Sequence, residues 1–311
     1  MRAFLLALSL LLAGIGPALA DDDYIKMSSN GLQRQYILVT PSGRKSEPVP
    51  LIVVLHGTVG TGRKMQTGLG FDKYVDRVGF AVAYPDAYIE PGQRKTTRWN
   101  DGRGTLVSSR LNVDDVAFFR DMVKDIGQRI AIDRSRIFVT GPSNGGMMTF
   151  RAACEGADLF AGAAPVIGNI ARPIADRCQP SRPISLLAIN GTEDPFVPFG
   201  GGTVCKGIRK FFCEGGEVIS NLDSLAVFAR RAGCAAKPEQ QVLAAKVAGD
   251  PPVEKVTFSH CRDGHKVAAY WIRGGGHNWP PLAGQLGDKN GPPTRNLDAT
   301  QAIIEFFLGR S

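Results

Sequence analysis

Histidine is scarce in this chain, with four in 311 residues, and its six cysteines include no C-x-x-C pair. A tetrahedral zinc site draws on such ligands at short spacing, so the composition argues against a metal centre. No basic run reaches five residues, although the net charge is +8. Arg44-Lys45, Arg94-Lys95, Arg209-Lys210 and Arg230-Arg231 are scattered pairs, which reads as a solvated basic surface and not as a nucleic-acid-binding face. The glycines at 57, 60 and 62 miss the G-x-G-x-x-G spacing, and no Lys-Ser/Thr follows them. A dinucleotide or phosphate loop is therefore excluded there, and no cofactor is called for.

Beyond the first 20 residues no apolar run is long enough to span a bilayer, so no stable membrane insertion is expected. Those 20 residues read as a signal peptide. Arg2 is the positive n-region, residues 4–15 are the apolar segment, and Ala18-Leu19-Ala20 is an A-x-A cleavage site before Asp21. The expectation is a cut after Ala20, a secreted or periplasmic location, and one catalytic domain over 21–311. In an oxidising compartment an even cysteine count reads as disulfides. Six cysteines allow 15 connectivities. Neighbour pairing is the simplest: Cys154 with Cys178, Cys205 with Cys213, and Cys234 with Cys261. A closed loop of about 25 residues contributes roughly 3 kcal/mol in the chain-entropy model.

Apolar segments alternate with amphipathic ones. Residues 35–40, 51–55, 79–84, 136–140, 160–167, 184–190, 253–259 and 266–273 read as strands, the last two joined by a tight turn at Asp263-Gly264. The segment 51–55 (LIVVL) is apolar throughout, which marks a strand buried on both faces of a parallel sheet. Helices are predicted over 69–78, 112–130 with Asn112 as cap, 146–153, 221–232 and 297–308. Residues 196–220, rich in glycine and aromatics, read as an insertion over one end of the sheet. The class is α/β with a mostly parallel sheet.

The chain is organised around residues 136–148, RIFVTGPSNGGMM. Strand, G-x-S-x-G, helix is the nucleophile-elbow pattern of α/β-hydrolases, which lifts a serine hydroxyl above the sheet. In a glycine-rich chain the short pattern carries weight only through its context. A serine needs a base within reach and a group that orients the base. In the hydrolase order these follow as acid, then histidine, on loops after later strands. Asp194 lies just past the strand ISLLAIN, with Glu193 as the adjacent alternative. His277 lies just past VAAYWIR, and Gly274-Gly-Gly276 gives it backbone freedom. Its rivals are His260 and His265 beside the hairpin turn, and His56 ahead of Gly57. The tetrahedral oxyanion needs two N–H donors, for which the amides of Asn144 and Thr58 are positioned in sequence.

With these pieces in order, the chain resembles the secreted polyhydroxybutyrate-depolymerase and feruloyl-esterase-like family of α/β-hydrolases, close to carbohydrate esterase family one. The resemblance rests on LIVVLHG, Arg98-Trp-Asn-Asp101, Val113-Asp-Asp-Val116, GPSNGGMM, Asn190-Gly-Thr-Glu-Asp194 with Val197-Pro198, and GGGHNWP. It implies Ser143 as nucleophile, His277 as base, Asp194 as its partner, and Asn144 and Thr58 as the oxyanion hole. It also suggests Trp99 and Trp279 as pocket walls. The chain departs from its relatives after His56-Gly57, where it carries Thr58-Val-Gly-Thr-Gly62, and in the segment 196–220. The expected activity is carboxylic-ester hydrolysis through an acyl-enzyme, on feruloyl or acetyl esters of plant polysaccharide or on hydroxyalkanoate ester oligomers. A serine peptidase of the same fold and a non-catalytic hydrolase-like binding protein are the alternatives.

Overall fold

The computed structural model describes residues 23–43, 47–90, 98–207, 214–284 and 287–309. The leader with its cleavage site, Cys213 and the basic pairs at 44–45, 94–95 and 209–210 lie outside the described residues. Twelve strands are described: β1 (Ile25–Ser29), β2 (Leu32–Val39), β3 (Val49–Val54), β4 (Ala81–Pro85), β5 (Ile132–Pro142), β6 (Gly162–Val166), β7 (Ser185–Gly191), β8 (Gly202–Thr203), β9 (Glu217–Val218), β10 (Glu239–Val242), β11 (Val253–Phe258) and β12 (Val267–Ile272). Ten form one sheet in the order β1-β2-β4-β3-β5-β6-β7-β12-β11-β10, and β8 pairs with β9 apart from it. From β4 to β12 every neighbouring pair is parallel, and the antiparallel pairings lie at the two ends.

The unbroken apolar run of β3 has its cause in two separate cores. Leu51, Val53 and Leu55 point into one, with Phe119, Phe150 and Phe228 from the helices Asp115–Arg129, Asn144–Glu155 and Asn221–Arg231. Ile52 and Val54 point into the other, with Met65 and Ile303 from the helices Gly62–Leu69 and Ala299–Leu308. A strand with helices on both faces has no side left for polar residues. This is the α/β-hydrolase fold.

Two helix boundaries differ from expectation. The helix placed at 69–78 is helical over Asp72–Gly79, its second half as a π-helix turn, and a separate helix, Gly62–Leu69, precedes it, because Thr61 caps that start and Gly70 stops it at φ 77°. The cap of the long helix is Asp114, which accepts from the Ala117 amide, while Asn112 sits in the left-handed region at φ 50°. Asp114 is two residues closer to the first free N–H groups. Strands β1 and β10 were not anticipated, since IKMSS and EQQV are edge segments with little apolar alternation.

Cys154–Cys178 and Cys234–Cys261 are bonded, so the described disulfides follow neighbour pairing. Cys205 is paired as well. Among the described residues no helix is long and apolar enough to cross a membrane.

Candidate active site

Ser143 joins β5 to the helix Asn144–Glu155 with φ 59° and ψ −122°, a conformation that non-glycine residues rarely occupy. The strain is held by steric necessity around it. A Cβ at Gly141 would lie 2.6 Å from the Leu55 carbonyl oxygen, one at Gly145 2.6 Å from that of His56, and one at Gly146 2.4 Å from that of Val166. Backbone from β3 and β6 therefore presses on the turn from both sides, and the Ser143 amide donates to Val166 O at 2.9 Å.

Asp194 and His277 come from the carboxyl ends of β7 and β12, which are parallel neighbours. The two loops lock together: Thr192 N donates to Ile272 O and Glu193 N to Gly275 O, both at 3.0 Å. Asp194 Oδ1 accepts from the amides of Phe196 (2.8 Å) and Val197 (2.9 Å). Its Oδ2 lies 2.6 Å from His277 Nδ1, and the carboxylate is fully buried. A carboxylate on Nδ1 fixes the proton there and leaves Nε2 free to accept. Glu193 is exposed, and His260 and His265 sit at the amino end of β12, the wrong end of the sheet. Ser143 Oγ makes no hydrogen bond among the described residues. Catalytic hydrogen bonds of this kind commonly close only in the substrate complex.

The glycines before His277 act by close approach more than by freedom. Only Gly274 has positive φ, at 72°. A Cβ at Gly275 would lie 2.3 Å from Ile272 Cγ2, and one at Gly276 1.9 Å from the Asn290 carbonyl oxygen. Asn290 grips His277 twice: its carbonyl accepts from the His277 amide at 2.6 Å, and its Nδ2 donates to the His277 carbonyl at 2.5 Å.

His56 has a different task. It is wholly buried, and burial holds its imidazole below the ordinary histidine pKa, in the neutral form. The Ala87 amide donates to Nε2 at 3.0 Å, so Nδ1 carries the proton and donates to Gly57 O at 2.7 Å. This fixes the loop of Gly57 and Thr58 against the elbow; a Cβ on Gly57 would lie 3.4 Å from Ser143 Cβ. The amides of Thr58 and Asn144 have no backbone hydrogen-bond partner among the described residues.

Both tryptophans expected to line the pocket are core residues. Trp99 is fully buried, with Nε1 on His56 O (2.9 Å) and its amide on Asn144 Oδ1 (2.8 Å). Trp279 packs on Phe71 and donates to Thr300 Oγ1. Their indoles satisfy buried acceptors and leave no face for a ligand. The segment 196–220 instead reaches the site: Phe196 lies 5.1 Å from the His277 ring, and Phe196, Val197, Val204, Cys205 and Val218 pack on Met147 of the elbow helix.

Residues 34–170 match the family model described as esterase PHB depolymerase. The chain is 29% identical over 286 residues to "Putative esterase NocK" of Nocardia uniformis subsp. tsuyamanensis, covering 90% of this chain and 80% of that protein. It is 30% identical over 250 residues to feruloyl esterase B of Piromyces equi, covering 78% of this chain and 42% of that protein. By these matches the chain is similar to the polyhydroxybutyrate-depolymerase and feruloyl-esterase-like esterases, which supports carboxylic-ester hydrolysis. The acetyl xylan esterase from Aspergillus awamori has the same fold, with a TM-score of 0.55 at 17% identity, over 85% of this chain and 96% of that one. In this chain the motifs Arg98–Asp101 and Val113–Val116 turn out to be joined. Asp115 takes the Asn100 amide at 2.7 Å and pairs with buried Arg34 at 2.8 Å, while Asn100 Nδ2 donates to Val113 O. Sequence reading marked these motifs but assigned them no contact.

Proposed function

We propose that this esterase works through Ser143 as nucleophile, His277 as general base and acid, and Asp194 as the group that orients it. Ser143 Oγ attacks the ester carbonyl carbon while His277 Nε2 takes its proton. The tetrahedral oxyanion rests on the amides of Asn144 and Thr58. Its collapse breaks the bond to the alcohol oxygen, which receives the proton from His277. Water, activated by the same imidazole, then attacks the acyl-enzyme and frees Ser143 with release of the acid. The observation that supports the reading is Ser143 held at φ 59° at the same carboxyl end of the parallel sheet as the buried Asp194–His277 pair.

The substrate class we propose is an acyl ester of a hydroxylated carrier: feruloyl or acetyl groups on polysaccharide, or a hydroxyalkanoate ester oligomer. Action in an exported location is proposed on the signal-like residues 1–20 and on the disulfides of the fold. A panel of methyl ferulate, p-nitrophenyl acetate, hydroxybutyrate oligomer and a peptide amide tests all of this. Ester turnover that is abolished in Ser143→Ala supports the reading. Peptide cleavage alone would favour the peptidase alternative, and binding without turnover of any of them the non-catalytic one.

A further inference from the structure

We propose that Arg103 and Asp101 are positioning residues for the oxyanion donor, acting through the Asn144 side chain, and that they tie the turn at Gly215-Gly216 to the elbow. The inference rests on the reading of Ser143 as nucleophile. Asn144 follows that serine, and its side chain is fully buried and fully specified. Oδ1 accepts from the Trp99 amide (2.8 Å), and Nδ2 donates to Trp99 O (3.1 Å) and to Asp101 Oδ2 (2.7 Å). A rotated amide would set oxygen against two oxygens, so only one orientation is satisfied. Asp101 is in turn gripped by Arg103, whose Nε and Nη2 lie 3.0 and 2.9 Å from Oδ2, with both side chains at 1% exposure or less. A buried pair of this kind is rigid, because neither charge can turn to water.

Arg103 continues outward. Its Nη1 donates to Gly215 O at 2.5 Å, and a Cβ on Gly216 would lie 2.8 Å from Arg103 Cβ. Glu214, next to this turn, pairs with Arg98 at 2.7 Å. The other end of the same segment begins at Asp194, whose Oδ1 takes the amides of Phe196 and Val197. The residues after Asp194 are thus fastened to the partner of the base, and the turn at Gly215-Gly216 is fastened, through Arg103 and Asp101, to the residue whose amide receives the oxyanion.

The test uses the mature full-length chain with p-nitrophenyl acetate as substrate and phenylboronic acid as a tetrahedral-adduct probe. Asn144→Ala keeps the backbone amide and removes its tether. The expected result is a fall in kcat of about 10- to 100-fold, KM within about twofold, and boronate affinity weakened by the same factor as kcat, since the loss falls on the charged tetrahedral state. Arg103→Lys should lower kcat in the wild-type background and have no further effect in Asn144→Ala, because both act through one contact. A kcat for Asn144→Ala within twofold of wild type would overturn the proposal. So would an Arg103→Lys loss that is equal in both backgrounds. If Arg103→Lys does not fold, the kcat and boronate measurements on Asn144→Ala decide alone. Undiminished turnover by Ser143→Ala would instead remove the nucleophile reading, which separates the two failures.

Discussion

The two halves of the candidate site are held in place by opposite means. The elbow around Ser143 is fixed by exclusion: strands β3, β5 and β6 approach so closely that three glycines have no room for a Cβ, and the serine takes the strained conformation left to it. The loops carrying Asp194 and His277 are fixed by attraction, through amides converging on a carboxylate and an asparagine gripping a backbone. Exclusion tolerates no substitution and leaves a local signature. Attraction spreads its cost over many partners at long range.

The contrast predicts unequal responses to mutation. Gly145→Val should be the most damaging change, since its side chain would enter the space of the His56 carbonyl, and overpacking of that kind costs about 3 kcal/mol or more. Soluble yield and thermal midpoint report it; a variant as stable as wild type would show that the elbow has slack. Asp194→Asn should leave stability nearly unchanged, because Oδ1 still accepts two amides, while kcat falls by about 10³–10⁴ through the wrong imidazole tautomer. Steady-state kinetics beside a melting curve separates the two quantities. Asn290→Ala should cost about 1–2 kcal/mol and roughly tenfold in kcat, as one grip on His277 is lost and the other remains.

These differences explain what could be read from the chain. The elbow was legible because close packing writes itself as G-x-S-x-G-G within six residues. Strand β3 was legible because burial on two faces needs an unbroken apolar run. Asp194 and His277 were legible by their offset from apolar strands. Asn290 was not: it lies 13 residues from the backbone it holds, in KNGPP, which reads as an ordinary turn. The tryptophans misled for a related reason. An indole near a catalytic motif reads as a wall, yet Trp99 lies beneath the site, where its N–H satisfies His56 O. Arg98–Asp101 and Val113–Val116 were visible as motifs, but their partners across the fold were not.

The smallest expected effect concerns pH and the elbow side. The native fold keeps His56 neutral, with its pKa lowered by burial, whereas the unfolded chain takes up a proton below about 6.5. The unfolded state then binds more protons, so stability is complete above that pH and declines as pH falls, by at most about 1.4 kcal/mol per unit. Thermal midpoints from pH 8 to 5 should show the slope, and His56→Gln should flatten it. An unchanged slope in that variant would place the proton uptake elsewhere.

The central claim is that Ser143 carries the acyl group. Stopped-flow mixing of the protein with excess p-nitrophenyl acetate, quenched in acid and followed by peptide mass spectrometry, tests it directly. The account predicts a burst approaching one p-nitrophenolate per chain and one acetyl group on the peptide containing Ser143, both absent in Ser143→Ala. Acetyl on a different residue, or a Ser143→Ala variant with the same burst, would contradict it.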